Sequence, residues 1–336
     1  MTRNSFLILL GATVLSVLAA LVVLTFDRGG AAMAMSGERL LPDLDAKASD
    51  IARVVLRDDD EEMVIERRDG AYVDAASDYP VDTEVLQDLV GGLALAEIAE
   101  AKTTDPARHA ELGLAAPDAE EGTGREIVLE DADGDVIAHV IAGDRDYTLG
   151  GLTGGQFVRR GGEDATWLVR ARINPPSRRA GWFDSDLFTG EESDVLRATL
   201  TPRDGDPVTF AREEDAFVLK ADLPEGKVAR ESNISRIPRF LAALDFDDVR
   251  KAGEGWEQGA TLTAELVDDL TVDLTEFVGS DGDGDDSTWV RIDVQGSSED
   301  AEALRDSVDG FEFALQPYDA QIFGWTLDDL IEAAES

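Results

Sequence analysis

Residues 51–73, IARVVLRDDDEEMVIERRDGAYV, read as three short strands joined by two tight turns. Apolar residues gather at 51–56 and again at 63–65. Between them Asp58-Asp59-Asp60 makes one turn, and Asp69-Gly70 makes the next. A dipeptide of the Asp-Gly kind supplies the positive φ that a tight hairpin needs. Hairpin-linked strands with few crossover helices predict mainly antiparallel sheet.

Working outward, Tyr79-Pro80-Val81-Asp82 opens a helix, with Asp82 as N-cap and Glu84 in the first turn. Val85, Leu86, Leu89, Val90, Leu93 and Leu95 form its expected buried stripe. A less regular stretch follows, with His109 and the run Leu112-Gly113-Leu114-Ala115-Ala116-Pro117. Strands resume at 126–129 and 136–141, joined through Asp133-Gly134. Residues 156–160 and 166–169 form a hairpin around Gly161-Gly162, and Trp182-Phe183-Asp184-Ser185-Asp186-Leu187 closes this half as a short amphipathic turn or helix.

The second half repeats the plan. Asp194-Val195 begins a strand as Asp50-Ile51 does, and 208–212 and 217–220 stand where 63–67 and 72–73 stood. Ile234, Ile237, Phe240, Leu241 and Leu244 make a second helix stripe. Residues 261–267 and 270–274 pair around Asp268-Asp269, 288–292 is a further strand, and Gly324-Trp325 to Leu330 echoes Gly181-Trp182 to Leu187. Asp50 to Asp194, Tyr72 to Phe217 and Gly181 to Gly324 are each about 143–145 residues apart, a domain-sized repeat.

Upstream lies residues 6–26, FLILLGATVLSVLAALVVLTF, with no charge in it. As a helix it spans about 30 Å, the thickness of a bilayer's hydrocarbon core. The very short N-terminus favours N-inside, so the bulk would lie beyond the cytoplasmic membrane. Ala32-Met33-Ala34 is a passable signal-cleavage site, but a signal's apolar core is shorter than this run. The expected fold is therefore α+β: an N-terminal transmembrane helix, then two similar, mainly antiparallel α+β units from an internal duplication. The expected parts are 1–5 cytoplasmic, 6–26 anchor, 27–47 tether, 48–190 first unit and 191–336 second unit.

The net charge is −42, and there is no Cys. A polyanion repels nucleic acid and anionic lipid surfaces. Without Cys, disulfides and lipid attachment through an N-terminal cysteine are both excluded. Only His109 and His139 are present, His109 expected to face solvent and His139 to be at the surface or half-buried. A zinc site needs more His or Cys than this. No serine sits in a G-x-S-x-G turn, and no phosphate-cradling glycine motif follows a strand and opens a helix.

Acidic loops are the weak metal candidates. Asp281, Asp283 and Asp285 alternate as calcium ligands do, but an EF-hand loop needs Gly at its sixth position and Glu at its twelfth. Asp286 and Ile292 stand there instead. Asp131-Ala132-Asp133-Gly134-Asp135 departs from the pattern in the same way, with Val136 and Ala142. Both clusters read first as solvated turns. Paired carboxylates with Trp167, Trp182, Trp256, Trp289 and Trp325 lining a groove would suit an envelope hydrolase or glycan-binding protein. Trp182 and Trp325, however, stand at repeat positions that suit core packing.

The order of these features resembles the domain-of-unknown-function family numbered 4340. The resemblance is carried by the apolar span, Asp69-Gly70-Ala71-Tyr72-Val73, Tyr79-Pro80-Val81-Asp82 and the Leu-rich helix. It continues through Gly113–Pro117, Ile141-Ala142-Gly143, the hairpin 156–169 and the Trp182–Leu187 closure. An aromatic is common before the family's glycine, where Leu112 stands here. The resemblance implies a membrane-anchored envelope protein, often encoded beside an ABC-type transporter like the gliding-motility export system. It implies no catalytic residues and no cofactor. The expected function is a non-enzymatic accessory or scaffold subunit, partnered by the membrane and by transporter membrane subunits.

Overall fold

The computed structural model describes residues 37–59, 61–120, 122–149, 154–253, 257–278 and 287–334. The expected anchor, 6–26, lies outside the described residues. Among those described, no helix is long and apolar enough to cross a membrane. The chain divides into two compact units. One is the described part of Met1–Tyr72 with Thr83–Pro175; the other is Val73–Asp82 with Pro176–Ser336. The division falls at 175/176, where the sequence reading set 190/191, and the short segment 73–82 belongs with the second unit.

The sheet of the first unit has eight strands. They are β1 (Arg53–Arg57), β2 (Glu62–Arg68), β3 (Ala71–Asp74), β4 (Glu97–Ala101), β5 (Arg125–Glu130), β6 (Val136–Asp146), β7 (Gly155–Arg160) and β8 (Thr166–Arg170). Their order is β3-β2-β1-β5-β6-β7-β8-β4. Val54 on the inner strand pairs antiparallel with Ile65 on one side and Leu129 on the other, and all three are buried. Asp69 and Gly70 both have positive φ, 51° and 92°, as the β2–β3 hairpin requires. Residues 37–47, read as the end of a tether, are folded into this unit. The Leu40 amide donates to the Ala96 carbonyl at 2.8 Å, and the Leu40 and Leu44 side chains are buried.

Helix Thr83–Leu95 buries Leu86, Leu89 and Leu93 as the stripe predicted. Leu95 departs from it and is 62% exposed. Two residues past Leu93 is about 200° around the helix, the opposite face.

The run 112–117 closes against β6. Gly113 ends a short 3-10 turn in the left-handed conformation, φ 65°. A Cβ on Gly143 would lie 2.3 Å from the Leu112 carbonyl oxygen and 2.8 Å from Leu114 Cδ2. Glycine is needed there because backbone meets backbone. Arg159 Nε donates to the Leu114 carbonyl at 2.9 Å, pinning the same run from β7. Gly143→Ala is expected to cost about 1–3 kcal/mol, read as a lower urea midpoint. An unchanged midpoint would show that the loop gives way freely.

The second unit contains β9 (Asp186–Thr189), β10 (Val195–Thr201), β11 (Val208–Glu213), β12 (Ala216–Leu219), β13 (Lys227–Ala229) and β14 (Ala243–Asp245). After these come β15 (Asp248–Lys251), β16 (Glu257–Leu266), β17 (Thr271–Val278), β18 (Trp289–Gln295), β19 (Phe311–Ala314) and β20 (Ile331–Ala333). Its eight-stranded sheet runs β12-β11-β10-β16-β17-β18-β19-β15, with two small pairs, β13-β20 and β14-β9. Every strand pairing described is antiparallel in both units. Read strand for strand, the two large sheets have the same order.

The second helix stripe is split into Glu231–Ile234 and Arg236–Ala242. Pro238 has no N–H to give the Ile234 carbonyl, so the ladder breaks at Ser235. Leu244 lies beyond it, in β14. Helix Glu299–Val308, which the sequence reading left out, joins β18 to β19, with the Ser298 side chain accepting from the Ala301 amide. Each closure also bonds to the residue before a helix: the Asp82 amide donates to the Trp182 carbonyl and the Arg230 amide to the Leu330 carbonyl, each at 2.8 Å.

Candidate functional site

The second unit holds a groove of about 570 Å³, within the size range of ligand sites. Four stretches build it. The segment 78–82 enters after a chain reversal in which Asp74 is the anchor. Asp74 Oδ2 accepts from the Ser77 amide at 2.7 Å, the Ser77 hydroxyl at 2.6 Å and Arg179 Nη2 at 2.8 Å. Strand β9 with the residues before it supplies Asp184, Asp186, Leu187 and Phe188. Helix Glu299–Val308 turns Asp300, Ala303, Leu304 and Ser307 into the groove, the i, i+3, i+4, i+7 face of a helix. Phe311 on β19 completes the floor.

Tyr79 is the centre of that floor. Its ring stands edge-on to Phe183, Phe246, Phe311 and Phe313, with centroids 4.9–5.8 Å away. The residue is 4% exposed. Among the described residues none shares a hydrogen bond with its hydroxyl, whose pKa is pushed up, first by burial and then by the charge of Asp184.

The walls are acidic. Asp78, Asp82, Asp184, Asp186, Asp300 and Asp306 line the groove, and no Lys or Arg does. Asp78 pairs with Lys251. Among the described residues, Asp184, Asp186, Asp300 and Asp306 pair with no cation. On the large sheets acids meet arginines instead: Arg53 with Glu130 at 2.6 Å, Arg57 with Glu126 at 2.9 Å and Arg291 with Glu312 at 2.7 Å.

The groove's field reaches β14. The Asp245 carboxyl is held above the usual carboxylate range by burial first, then by Asp319, Asp186 and Asp247. Burial likewise raises Asp319, which Arg236 partly offsets. A carboxyl raised in the fold contributes stability below its ordinary pKa and loses it as pH rises through the folded value. Asp245→Asn is therefore expected to raise the urea midpoint at pH 7, with a gain that shrinks as pH falls toward about 4. A gain of equal size at both pH values would place the cause elsewhere.

The residues singled out in the sequence are dispersed. Asp281, Asp283 and Asp285, with Trp256, lie outside the described residues. Asp131 spends its Oδ1 on the amides of Asp133 and Asp135, both at 2.9 Å, inside the β5–β6 turn. Among the described residues no group of three or more His, Cys, Asp or Glu could hold a metal ion. His109, expected to face solvent, is buried with Nε2 3.0 Å from the Asp164 carbonyl. His139 is half-buried, its Nε2 2.8 Å from Glu126 Oε1. Trp167, Trp182, Trp289 and Trp325 are all buried, so none presents the platform a glycan groove needs.

No motif announces the groove, because its residues come from four separate stretches. One signal was present. Ala301, Leu304 and Val308 recur at helical spacing behind Ser298 and an acidic first turn.

The fold and groove define a mainly antiparallel β-sheet protein, with few helices and an acidic, apolar-floored cleft. The chain belongs to the family described as Domain of unknown function (DUF4340), whose model matches residues 72–264, more than half its length. No curated protein and no solved structure matches it.

Proposed function

We propose that this chain is a non-enzymatic, membrane-anchored envelope protein, an accessory or scaffold subunit beside an ABC-type transport system of the gliding-motility kind. One observation carries the reading. An uncharged apolar run long enough to span a bilayer, residues 6–26, precedes two eight-stranded sheets of one strand order. That shared order supports an internal duplication, and duplicated sheets on a tether suit a protein that engages partners. The anchor holds the chain in the cytoplasmic membrane, with both units in the periplasm or outside that membrane. Its partners are the membrane and the membrane subunits of the transporter, while the charge of −42 keeps nucleic acid away.

Fractionation with crosslinking in intact cells tests this. The full chain should stay with membranes after alkaline extraction, and deleting residues 6–26 should release it. Crosslinks should recover a transporter membrane subunit. A full-length chain free in the cytosol would contradict the reading.

A further inference from the structure

We propose that the groove of the second unit receives an extended, positively charged segment of a partner protein, in which Lys or Arg alternates with apolar residues. The inference deepens the partner-binding role proposed above and rests on it for the partner being a protein.

Three observations select this occupant. The floor is apolar, from Tyr79, Val81, Leu304 and Phe311, while the walls carry Asp184, Asp186, Asp300 and Asp306 with no cation opposite. A guest must therefore bring both apolar bulk and positive charge, and opposite potentials draw it in. Second, β9 is bonded to β14 alone. Side chains alternate between faces along a strand, so the successive residues Asp186, Leu187 and Phe188 meet the groove along β9's edge. A strand edge offers main-chain hydrogen bonds to an extended peptide. A small amine cannot take them up. Third, the Tyr79 hydroxyl, on a side chain that lines the groove and is 4% exposed as a residue, has no acceptor among the described residues, and a peptide carbonyl supplies one.

The test uses the full chain in mild detergent and fluorescence anisotropy. The probe is a short labelled peptide of alternating Lys and Val. Its counterpart with Glu in place of every Lys serves as a control, and spermidine is the competitor. Asp184→Asn with Asp186→Asn should weaken the Lys peptide about tenfold, as loss of two partly screened charge contacts does. Asp204→Asn with Asp206→Asn removes the same charge from the exposed β10–β11 turn and should change affinity less than about twofold. Ala303→Trp, at an exposed groove position, should abolish binding while circular dichroism stays unchanged. Equal losses in the two charge variants would overturn the inference. So would displacement by spermidine at the peptide's own concentration, or no binding of the Lys peptide at all. If the peptide fails to bind while transporter subunits still co-purify, the groove assignment falls and the proposed function stands. If the peptide binds at the groove and nothing co-purifies, the reverse holds.

Discussion

Replacing Arg250 and Arg291 together by Met is expected to destabilise the second unit by about 4 kcal/mol or more. Both arginines serve Glu312 on β19, which is fully buried. Glu312 accepts from Arg250 Nε at 3.0 Å, Arg291 Nη2 at 2.7 Å and the Gly253 amide at 3.2 Å. The guanidiniums also cover aromatic rings, Arg250 over Trp289 at 3.9 Å and Arg291 over Phe277 at 4.6 Å. Methionine keeps much of each stem's volume but strands a carboxylate on one backbone amide. Such a charge is far more costly than a lost surface pair. Glu312→Gln in the same background should recover most of the loss, because the buried group is then neutral. Glu312→Ala alone should cost less. It strands cations whose side chains keep 21% and 34% of their exposure, so they can turn to water. Urea unfolding followed by hydrogen exchange in β18 and β19 checks this. A double variant within 1 kcal/mol of the parent would show that the triad does not hold the sheet.

The second large effect is at Tyr79. Tyr79→Ala empties the space between four phenylalanine rings and is expected to cost about 3–5 kcal/mol. Tyr79→Phe should be near neutral, since the hydroxyl it removes has no partner in the fold. The pair of variants separates packing from polarity. The phenol's raised pKa gives a second readout. Its deprotonated form is disfavoured in the fold, so stability present below about pH 10 is lost as pH rises beyond it. The Tyr79 phenol should stay protonated until the unit unfolds. Ordinary titration of this phenol in the folded chain, or equal losses in both variants, would sink the assignment.

Much of the fold was legible because its signals are local. The apolar run of β1, the alternation in β2, the Asp69-Gly70 turn and the Leu86-Leu89-Leu93 stripe each lie within one element. Among the strands that were missed, β4, β19 and β15 close the far end of each large sheet, and β9, β13, β14 and β20 form the small pairs. β4, β15 and β19 are four or five residues long, and β4 carries Glu at two of its five positions. Too few residues alternate there for the period to show.

The near-uniform spacing of the sequence markers does not hold between strands at matching places in the two sheets. The irregular stretch 102–124 lies between β4 and β5, where β15 and β16 are joined by 252–256. Helix Glu299–Val308 lies between β18 and β19, where β7 and β8 meet at Gly161-Gly162. Val54 and Ala198 hold matching places on the central strands, about 144 apart, and Ile65 matches Phe210. Leu129 and Ala264 match at only about 135. Markers that agree in spacing can therefore bracket stretches whose spacing differs. The groove was illegible for a related reason. It draws on the added helix and on segment 73–82, pieces that only folding brings together.

Affinity purification of the full chain from membranes in mild detergent tests the central claim most directly. The account predicts that membrane subunits of an ABC-type transporter come with it in fixed ratio, and that the chain without residues 6–26 brings them in smaller amount. Recovery of a lone monomer across several detergents and salt concentrations would contradict it.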